Sequence, residues 1–248
     1  MAFPTYKGEL PHLTTEQMVA VDRLMIGKYQ IELSKMMENA GRALATLARA
    51  AFLKGDVKQK KVAILVGTGG NGGGAMVCAR HLFNWGADVT VYISKPKGRM
   101  TRVPAEQLAI LRCMEVAAQL PNALETDATK YDLIIDGIIG YSIKGEPKGG
   151  AKKMINWAND RGCPILALDA PSGVELSTGK VHEPAIRAAA TLTLALPKKG
   201  LFEEAVIPYR GSLYLADISV PPMLYQEKNL NIKVGPVFSV GEILLLEN

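Results

Sequence analysis

Lys61 to Val66 reads K-V-A-I-L-V and runs straight into a glycine-dense segment, Gly67 to Ala75 (G-T-G-G-N-G-G-G-A). A continuous β-branched run of this kind predicts a parallel strand buried on both faces, because a strand with one wet face would alternate apolar and polar residues. Such a strand needs helices on both sides, which commits the chain to an α/β fold. The downstream pattern agrees. Helical spacing over Met76 to Phe83, Pro104 to Ala118 and Lys148 to Arg161 alternates with strand-like runs at Asp88 to Ile93, Tyr131 to Ile135 and Pro164 to Leu168. Ala190 to Leu196 and Ser212 to Ile218 extend the sheet. Alternation at this spacing predicts right-handed βαβ units in a mostly parallel, doubly wound sheet. Two helices precede it. Thr14 or Thr15 caps a helix from Met18 to Ile26 that Gly27 ends; Met36, Met37, Ala40, Leu44, Leu47 and Ala51 then recur at helical spacing between Ser34 and about Leu53, with Gly55 just beyond. No repeat or linker interrupts residues 1–248, so a single domain is expected, with roughly the last 25 residues unassigned.

The chain has 248 residues, 48% hydrophobic and 21% charged, which is ordinary for a soluble globular protein able to bury a core without disulfides or a structural metal. Lys and Arg (29) exceed Asp and Glu (24) only slightly and are scattered, so nucleic acid is not an expected partner. Cys78, Cys113 and Cys163 lie far apart beside apolar segments and read as buried thiols in a reducing cytosol, while the dispersed histidines give no zinc-ligand spacing. The N-terminus has no apolar signal region, and no apolar run approaches the roughly 20 residues that cross a bilayer. A cytoplasmic protein with no membrane partner is expected.

In open parallel sheets, ligands bind beyond the carboxyl ends of the strands, and three segments stand there: Gly67 to Ala75, Asp136 to Gly145 (D-G-I-I-G-Y-S-I-K-G) and Asp169 to Gly173 (D-A-P-S-G). Gly67, Gly69 and Gly72 make a G-x-G-x-x-G turn between strand and helix, the context of a phosphate-binding loop. A nicotinamide dehydrogenase would add an acidic residue after the second strand, but Ser94, Lys95 and Pro96 follow Ile93. A Walker A loop fails because Gly73 stands where its lysine belongs. Asp136 and Asp169 each end an apolar strand, where a carboxylate needs a cation, a donor or a ligand, and both are expected to face one crevice. A helix N-cap is the structural alternative for either one. Ser172 is not a nucleophile elbow, since Ala170 replaces the required glycine. The oxygen-bearing set Asn71, Asp136 and Ser172 suits a hard cation such as K⁺ or Mg²⁺.

Taken together, these segments resemble the YjeF N-terminal domain family, the NAD(P)H-hydrate epimerases. The likeness begins with M-M-E-N-A-G-R-A at Met36 to Ala43 and continues through V-G-T-G-G-N-G-G-G-A, A-R-H-L, D-G-I-I-G-Y-S-I-K-G and D-A-P-S-G to P-K-K-G-L at Pro197 to Leu201. It implies a three-layer αβα, Rossmann-like sandwich, often a homodimer, that interconverts the R and S forms of hydrated NADH or NADPH (NAD(P)HX). Carried over by position, the resemblance puts K⁺ on Asn71, Asp136 and Ser172. It puts the nucleotide against Gly70, Asn71, Gly72, Gly73 and Gly74, and against Gly140, Tyr141, Ser142, Ile143, Lys144, Gly145 and Glu146, with Asp169 at the reacting ring. Lys144 either adds charge there or is a solvated surface residue. Asp169 would give and take the proton as hydroxyl leaves the ring carbon and water returns to the other face.

The family's loop reads G-N-N-G-G-D-G, whereas this chain has Gly70 for the first Asn, Gly74 for the Asp and Ala75 for the last Gly. That departure keeps an alternative open: a catalytically silent nucleotide-binding or scaffold domain of the same fold. A third reading, a reductase holding the 2′-phosphate of NADP through Lys95 and Lys97, lacks a hydride-transfer partner.

Overall fold

The computed structural model describes residues 3–247, apart from the side chain of Lys97. In chain order the elements are β1 (Thr5–Tyr6), α1 (Thr15–Gly27), α2 (Leu33–Leu47), β2 (Lys61–Val66), α3 (Gly70–Asn84), β3 (Asp88–Ile93), α4 (Arg102–Cys113), β4 (Ala118–Gln119), β5 (Leu133–Gly137), α5 (Gly149–Asn159), β6 (Ile165–Leu168), β7 (Ala190–Leu194), α6 (Ile207–Arg210), β8 (Ser212–Ala216) and β9 (Ile243–Leu246). The strands form one sheet in the order β1-β9-β8-β7-β6-β5-β2-β3-β4. Among the described residues, every pairing of these strands is parallel except β8 with β9. From β2 the chain steps outward to β3 and β4, then returns to lay β5 on the other side of β2, in register from Val62↔Leu133 to Val66↔Gly137. That reversal makes the carboxyl ends of β2 and β5 a topological switch point, where adjacent loops part and leave a crevice.

A side-chain cap fixes the start of the first long helix. Thr14 Oγ1 accepts the Gln17 N–H at 3.2 Å and Gln17 Oε1 accepts the Thr14 N–H at 2.8 Å, a complete capping box that fixes the start of α1. Met18, Val21 and Met25 then turn one face of α1 into the core. The expected second helix is α2 followed by a wider, π-type turn over Ala48–Phe52, and Gly55, at φ +83°, closes it by donating to Arg49 O at 2.8 Å.

Three expectations change. The first concerns the glycine segment: α3 starts at Gly70, not at Met76, so most of that segment is a first helical turn rather than a loop. Close packing explains Gly67, Gly72 and Gly74 within it, while Gly69, Gly70 and Gly73 have room for a Cβ. A Cβ on Gly72 would lie 2.2 Å from Gly67 O, and one on Gly41 of α2 would lie 2.4 Å from Val77 Cβ and 2.5 Å from Gly74 O, so the α2 and α3 backbones touch where side chains would separate them. Second, α4 stops at Cys113, because Glu115 takes a left-handed φ of +60° and releases Ala118–Gln119 to pair beside β3. Third, Cys78 is buried, but Cys113 ends α4 on its exposed side and Cys163 is half-buried. The unassigned C-terminus supplies β9, whose Leu244 and Leu246 complete the core at the far edge of the sheet. Among the described residues, no helix is long and apolar enough to cross a membrane.

Candidate active site

A cavity of about 420 Å³ opens at the switch point, over the carboxyl ends of β2, β5 and β6 and beneath α1 and α2. Of the residues to which the resemblance gives a site role, Gly70, Asn71, Gly140, Tyr141, Ser142 and Asp169 line it, with Gly69 of the glycine turn beside them. Gly72, Gly73 and Gly74 do not; they are buried inside α3. Ile143 is buried beside the cavity without lining it, and Lys144, Gly145 and Glu146 are exposed outside it. Asp136 and Ser172 lie fully buried beneath the floor rather than facing the crevice with Asp169. Lys95 is exposed beyond β3, away from this wall, and the side chain of Lys97 lies outside the described residues.

Asp169 follows β6 in a left-handed conformation, φ +65°, which costs a residue with a Cβ about 1–3 kcal/mol and is tolerated best by Asn and Asp. Its N–H is held by Leu192 O at 2.7 Å across the β6–β7 pairing, so the sheet imposes the turn that points its carboxylate at the cavity. There it meets Lys198, a lysine with no exposed surface, at 2.5 Å between Nζ and Oδ1. The same ammonium donates to Leu194 O at 2.8 Å and Thr193 Oγ1 at 3.3 Å. An ammonium has three hydrogens, so these three acceptors use its whole donor capacity. Lys198 thus serves Asp169 as a fixed counter-charge. Its backbone is pinned as well, since Leu13 N donates to Pro197 O and Lys199 N to Leu13 O.

A second carboxylate lines the same cavity. Asp22 projects from α1 and accepts a hydrogen bond from Tyr141 Oη at 2.5 Å, tying the helix to the segment after β5. Burial raises the Asp22 carboxyl above its ordinary range and the charge of Asp169 adds to this, while the Tyr141 hydrogen bond and Lys198 oppose it. Burial and the Asp22 charge push the Tyr141 phenol far up, so it stays a donor. Sequence reasoning missed both Asp22 and Lys198. Asp22 has a signal: it stands between Val21 and Met25 on the stripe that buries α1, where a carboxylate needs a partner. Lys198 has one only in hindsight, a cation four residues past an apolar strand.

Beneath the floor, Asp136 accepts from Ser172 Oγ at 2.6 Å, Ser172 N at 2.7 Å and Ile138 N at 3.1 Å. Even so, complete burial raises its carboxyl to about 6, so three donors do not offset the loss of water. Ser172 Oγ also takes the Ile139 N–H at 2.8 Å, which links the floor to the cavity wall. Asn71 donates through Nδ2 to Leu168 O at 3.1 Å, and its Oδ1 side lies against Gly140, where a Cβ would stand 3.4 Å from that oxygen. The three predicted oxygen donors therefore gather around residues 136–140 at the end of β5. A buried carboxylate short of positive charge, with a hydroxyl and an amide oxygen, is a donor set that fits a hard cation.

Residues 33–200 match the model of the family described as the YjeF-related protein N-terminus. The chain belongs to this family. Among YjeF-related relatives, it is 36% identical to the NAD(P)H-hydrate epimerase of Dehalogenimonas lykanthroporepellens over 99% of this chain and 97% of that one. It is 32% identical to the NAD(P)H-hydrate epimerase of Entamoeba histolytica, over 91% and 100%. Against the bifunctional NAD(P)H-hydrate repair enzyme Nnr of Dictyoglomus turgidum, 31% identical, it spans only 40% of the longer protein. The crystal structure of the yeast protein ynu0 (YNL200c) superposes with a TM-score of 0.78 at 25% identity, covering 96% of this chain and all of that one. The YjeF-related fold expected from the sequence, a mostly parallel α/β sheet, is thus the fold found. The loop departure at Gly74 falls inside α3, and the cavity keeps Asn71, Asp169, Lys198 and Asp22 on its wall.

Proposed function

We propose that this protein is an NAD(P)H-hydrate epimerase, interconverting the R and S forms of NAD(P)HX. The observation that carries the reading is the buried Asp169–Lys198 pair at the switch-point cavity of a chain whose full-length relatives bear that name. Epimerisation at the ring carbon bearing the hydroxyl proceeds by loss of that hydroxyl, with positive charge spreading onto the ring nitrogen, and by return of water to the other face. An ion-paired carboxylate beside that carbon stabilises the developing cation and takes the proton of the incoming water. Met36 and Met37, with Leu33 and Leu168, wall the cavity with apolar surface that excludes bulk water. At about 420 Å³ the cavity suits the hydrated nicotinamide and its ribose, and the open first turn at Gly69 and Gly70 offers backbone N–H groups to the pyrophosphate.

Potassium belongs to the same proposal. Asn71, Asp136 and Ser172 would hold it, and the ion would supply a fixed positive charge near the phosphates while neutralising Asp136. A homodimer and a cytoplasmic location complete the reading, and light scattering of the purified protein checks the first of these. The deciding experiment follows one purified NADPHX epimer by chromatography with and without protein, subtracting the uncatalysed rate. Accelerated conversion to the other epimer supports the assignment. An unaccelerated rate, in K⁺ and with folded protein, returns the chain to the silent-domain alternative.

A further inference from the structure

Lys198 spends its three hydrogens on Asp169, Thr193 and Leu194, so it has none to offer a substrate. Yet the reaction needs a proton at the departing hydroxyl, since hydroxide is a poor leaving group and water a good one. The R and S hydroxyls stand on opposite faces of the ring, so Asp169, beside one face, does not serve a departure from the other. The proton must come from another group on the cavity wall. Asp22 is the other carboxylate there, and it arrives from α1, whereas Asp169 and Lys198 arrive from the sheet.

We propose that Asp22 is a second catalytic residue of this cavity, giving its carboxyl proton to the hydroxyl that leaves the substrate ring while Asp169 receives the proton of the water that returns. The proposal rests on the epimerase reading. In the first step the C–O bond breaks with its electron pair on oxygen, the Asp22 proton makes that oxygen water, and the ring nitrogen lone pair forms a C=N bond. In the second step water adds to the carbon from the other face, the C=N pair returns to nitrogen, and the released proton passes to Asp169. The reverse epimerisation runs the same transfers backwards, and solvent exchange resets the two carboxyls. One water leaves and one enters, and no oxidant or reductant is consumed.

The environment of Asp22 suits a proton donor. Burial and the neighbouring Asp169 hold its carboxyl up, against the Lys198 charge and the Tyr141 hydrogen bond. The phenol of Tyr225 is buried near it without a hydrogen-bond partner. Two carboxyls of one site whose surroundings differ, one paired directly with an ammonium and one bonded to a phenol, can supply base and acid to the two faces of the ring, exchanging roles when the reaction runs backwards. Tyr141 is then a positioning residue: it aims Asp22 and, by favouring the carboxylate, keeps the proton transferable.

The test is the pH dependence of NADPHX epimerisation for the wild type, Asp22→Asn and Tyr141→Phe, each with its melting temperature. Asp22→Asn is expected to lose about 100-fold or more in kcat and to lose the fall in rate at high pH that marks a protonated acid. Tyr141→Phe breaks the same tie but leaves the acid, so it should lose about tenfold or less, with that fall moved to higher pH. Equal losses in both variants with an unchanged profile would make Asp22 a structural tie and overturn the proposal, as would near-wild-type activity of Asp22→Asn. If Asp22→Asn does not fold, Tyr141→Phe decides alone: an unmoved high-pH limb overturns the proposal. A wild type that converts neither epimer fails the epimerase reading itself, which sets that failure apart from activity that survives without Asp22.

Discussion

Lys198 Nζ sits 2.5 Å from Asp169 Oδ1 in a contact almost closed to solvent, and each residue depends on the other. Asp169 holds a left-handed backbone that only its surroundings enforce, and Lys198 is a fully buried charge that only its acceptors offset. Breaking such a pair from one side leaves an uncompensated charge, which costs about 3–5 kcal/mol in buried cases. Lys198→Met is therefore expected to lower stability by that order in denaturant unfolding and to abolish measurable epimerisation. Asp169→Asn keeps the shape and a neutral acceptor for Lys198, so it should lose less stability but about 100-fold or more in turnover. Full activity in folded Asp169→Asn would remove this carboxylate from the chemistry.

Gly74 gives a prediction of the opposite kind from the one its sequence position invites. The family pattern read from the resemblance has Asp there, which makes restoration look beneficial. In this chain Gly74 is helical and buried, and a Cβ on it would stand 2.9 Å from Leu168 Cδ2, with Ala40 Cβ and Met37 Sδ at 3.8 Å. Gly74→Asp must push Leu168 aside and bury a carboxylate among apolar atoms, so overpacking and desolvation together should cost about 2 kcal/mol or more. The expected result is a lower melting temperature with no gain in turnover. A stabilised or faster variant would show that Leu168 yields easily and that the cavity wants a carboxylate at that point.

Gly41 tests how closely α2 packs on α3. Ala in place of an interior helical Gly normally stabilises by about 1 kcal/mol. Here the added methyl would meet Val77 Cβ at 2.4 Å and Gly74 O at 2.5 Å, a clash with backbone that cannot rotate away. Overpacking of about 1–3 kcal/mol outweighs the propensity gain, so Gly41→Ala should be net destabilising in thermal unfolding. Gly27→Ala, with nothing within 4 Å of the new methyl, should not be.

How far the sequence could be read follows from the same contacts. The β2 run and its glycine break announced the sheet because a strand buried on both faces has no polar alternation to confuse it, and β5 and β6 were legible for that reason, while β3, β7 and β8 showed as short β-rich runs spaced between helical segments. The start of α3 was not legible, since four of the five residues from Gly70 to Gly74 are glycines of poor helix propensity, and the contact that favours a small residue at Gly72, with Gly67 O, is made only in the fold. Asp169 and Asn71 could be placed from their strand-end positions. Asp136 and Ser172 could be paired in sequence, but not seen to lie under the floor. Asp22 and Lys198 come from segments 147 and 29 residues away from Asp169 in the chain, and only the tertiary fold brings the three together.

Asp136 ties stability to pH and to cations. Its carboxyl rises from an ordinary 3.8 to about 6 on folding, because burial outweighs the bonds from Ser172 and Ile138. Between those values the folded state binds more protons than the unfolded one, so stability falls as pH rises. The contribution is fully present below about pH 4 and lost through about pH 6, by up to about 3 kcal/mol for a shift of this size. A cation at Asn71, Asp136 and Ser172 needs the ionised form and so reverses the loss: bound tightly, it returns about 2.7 kcal/mol at a hundredfold excess over Kd. Denaturant unfolding in K⁺ against tetramethylammonium should show little difference near about pH 4.5 and a clear K⁺ stabilisation near about pH 7.5. Asp136→Asn should flatten both the pH slope and the K⁺ response. A K⁺ effect that is equal at both pH values, or that survives in Asp136→Asn, would move the ion elsewhere on the protein.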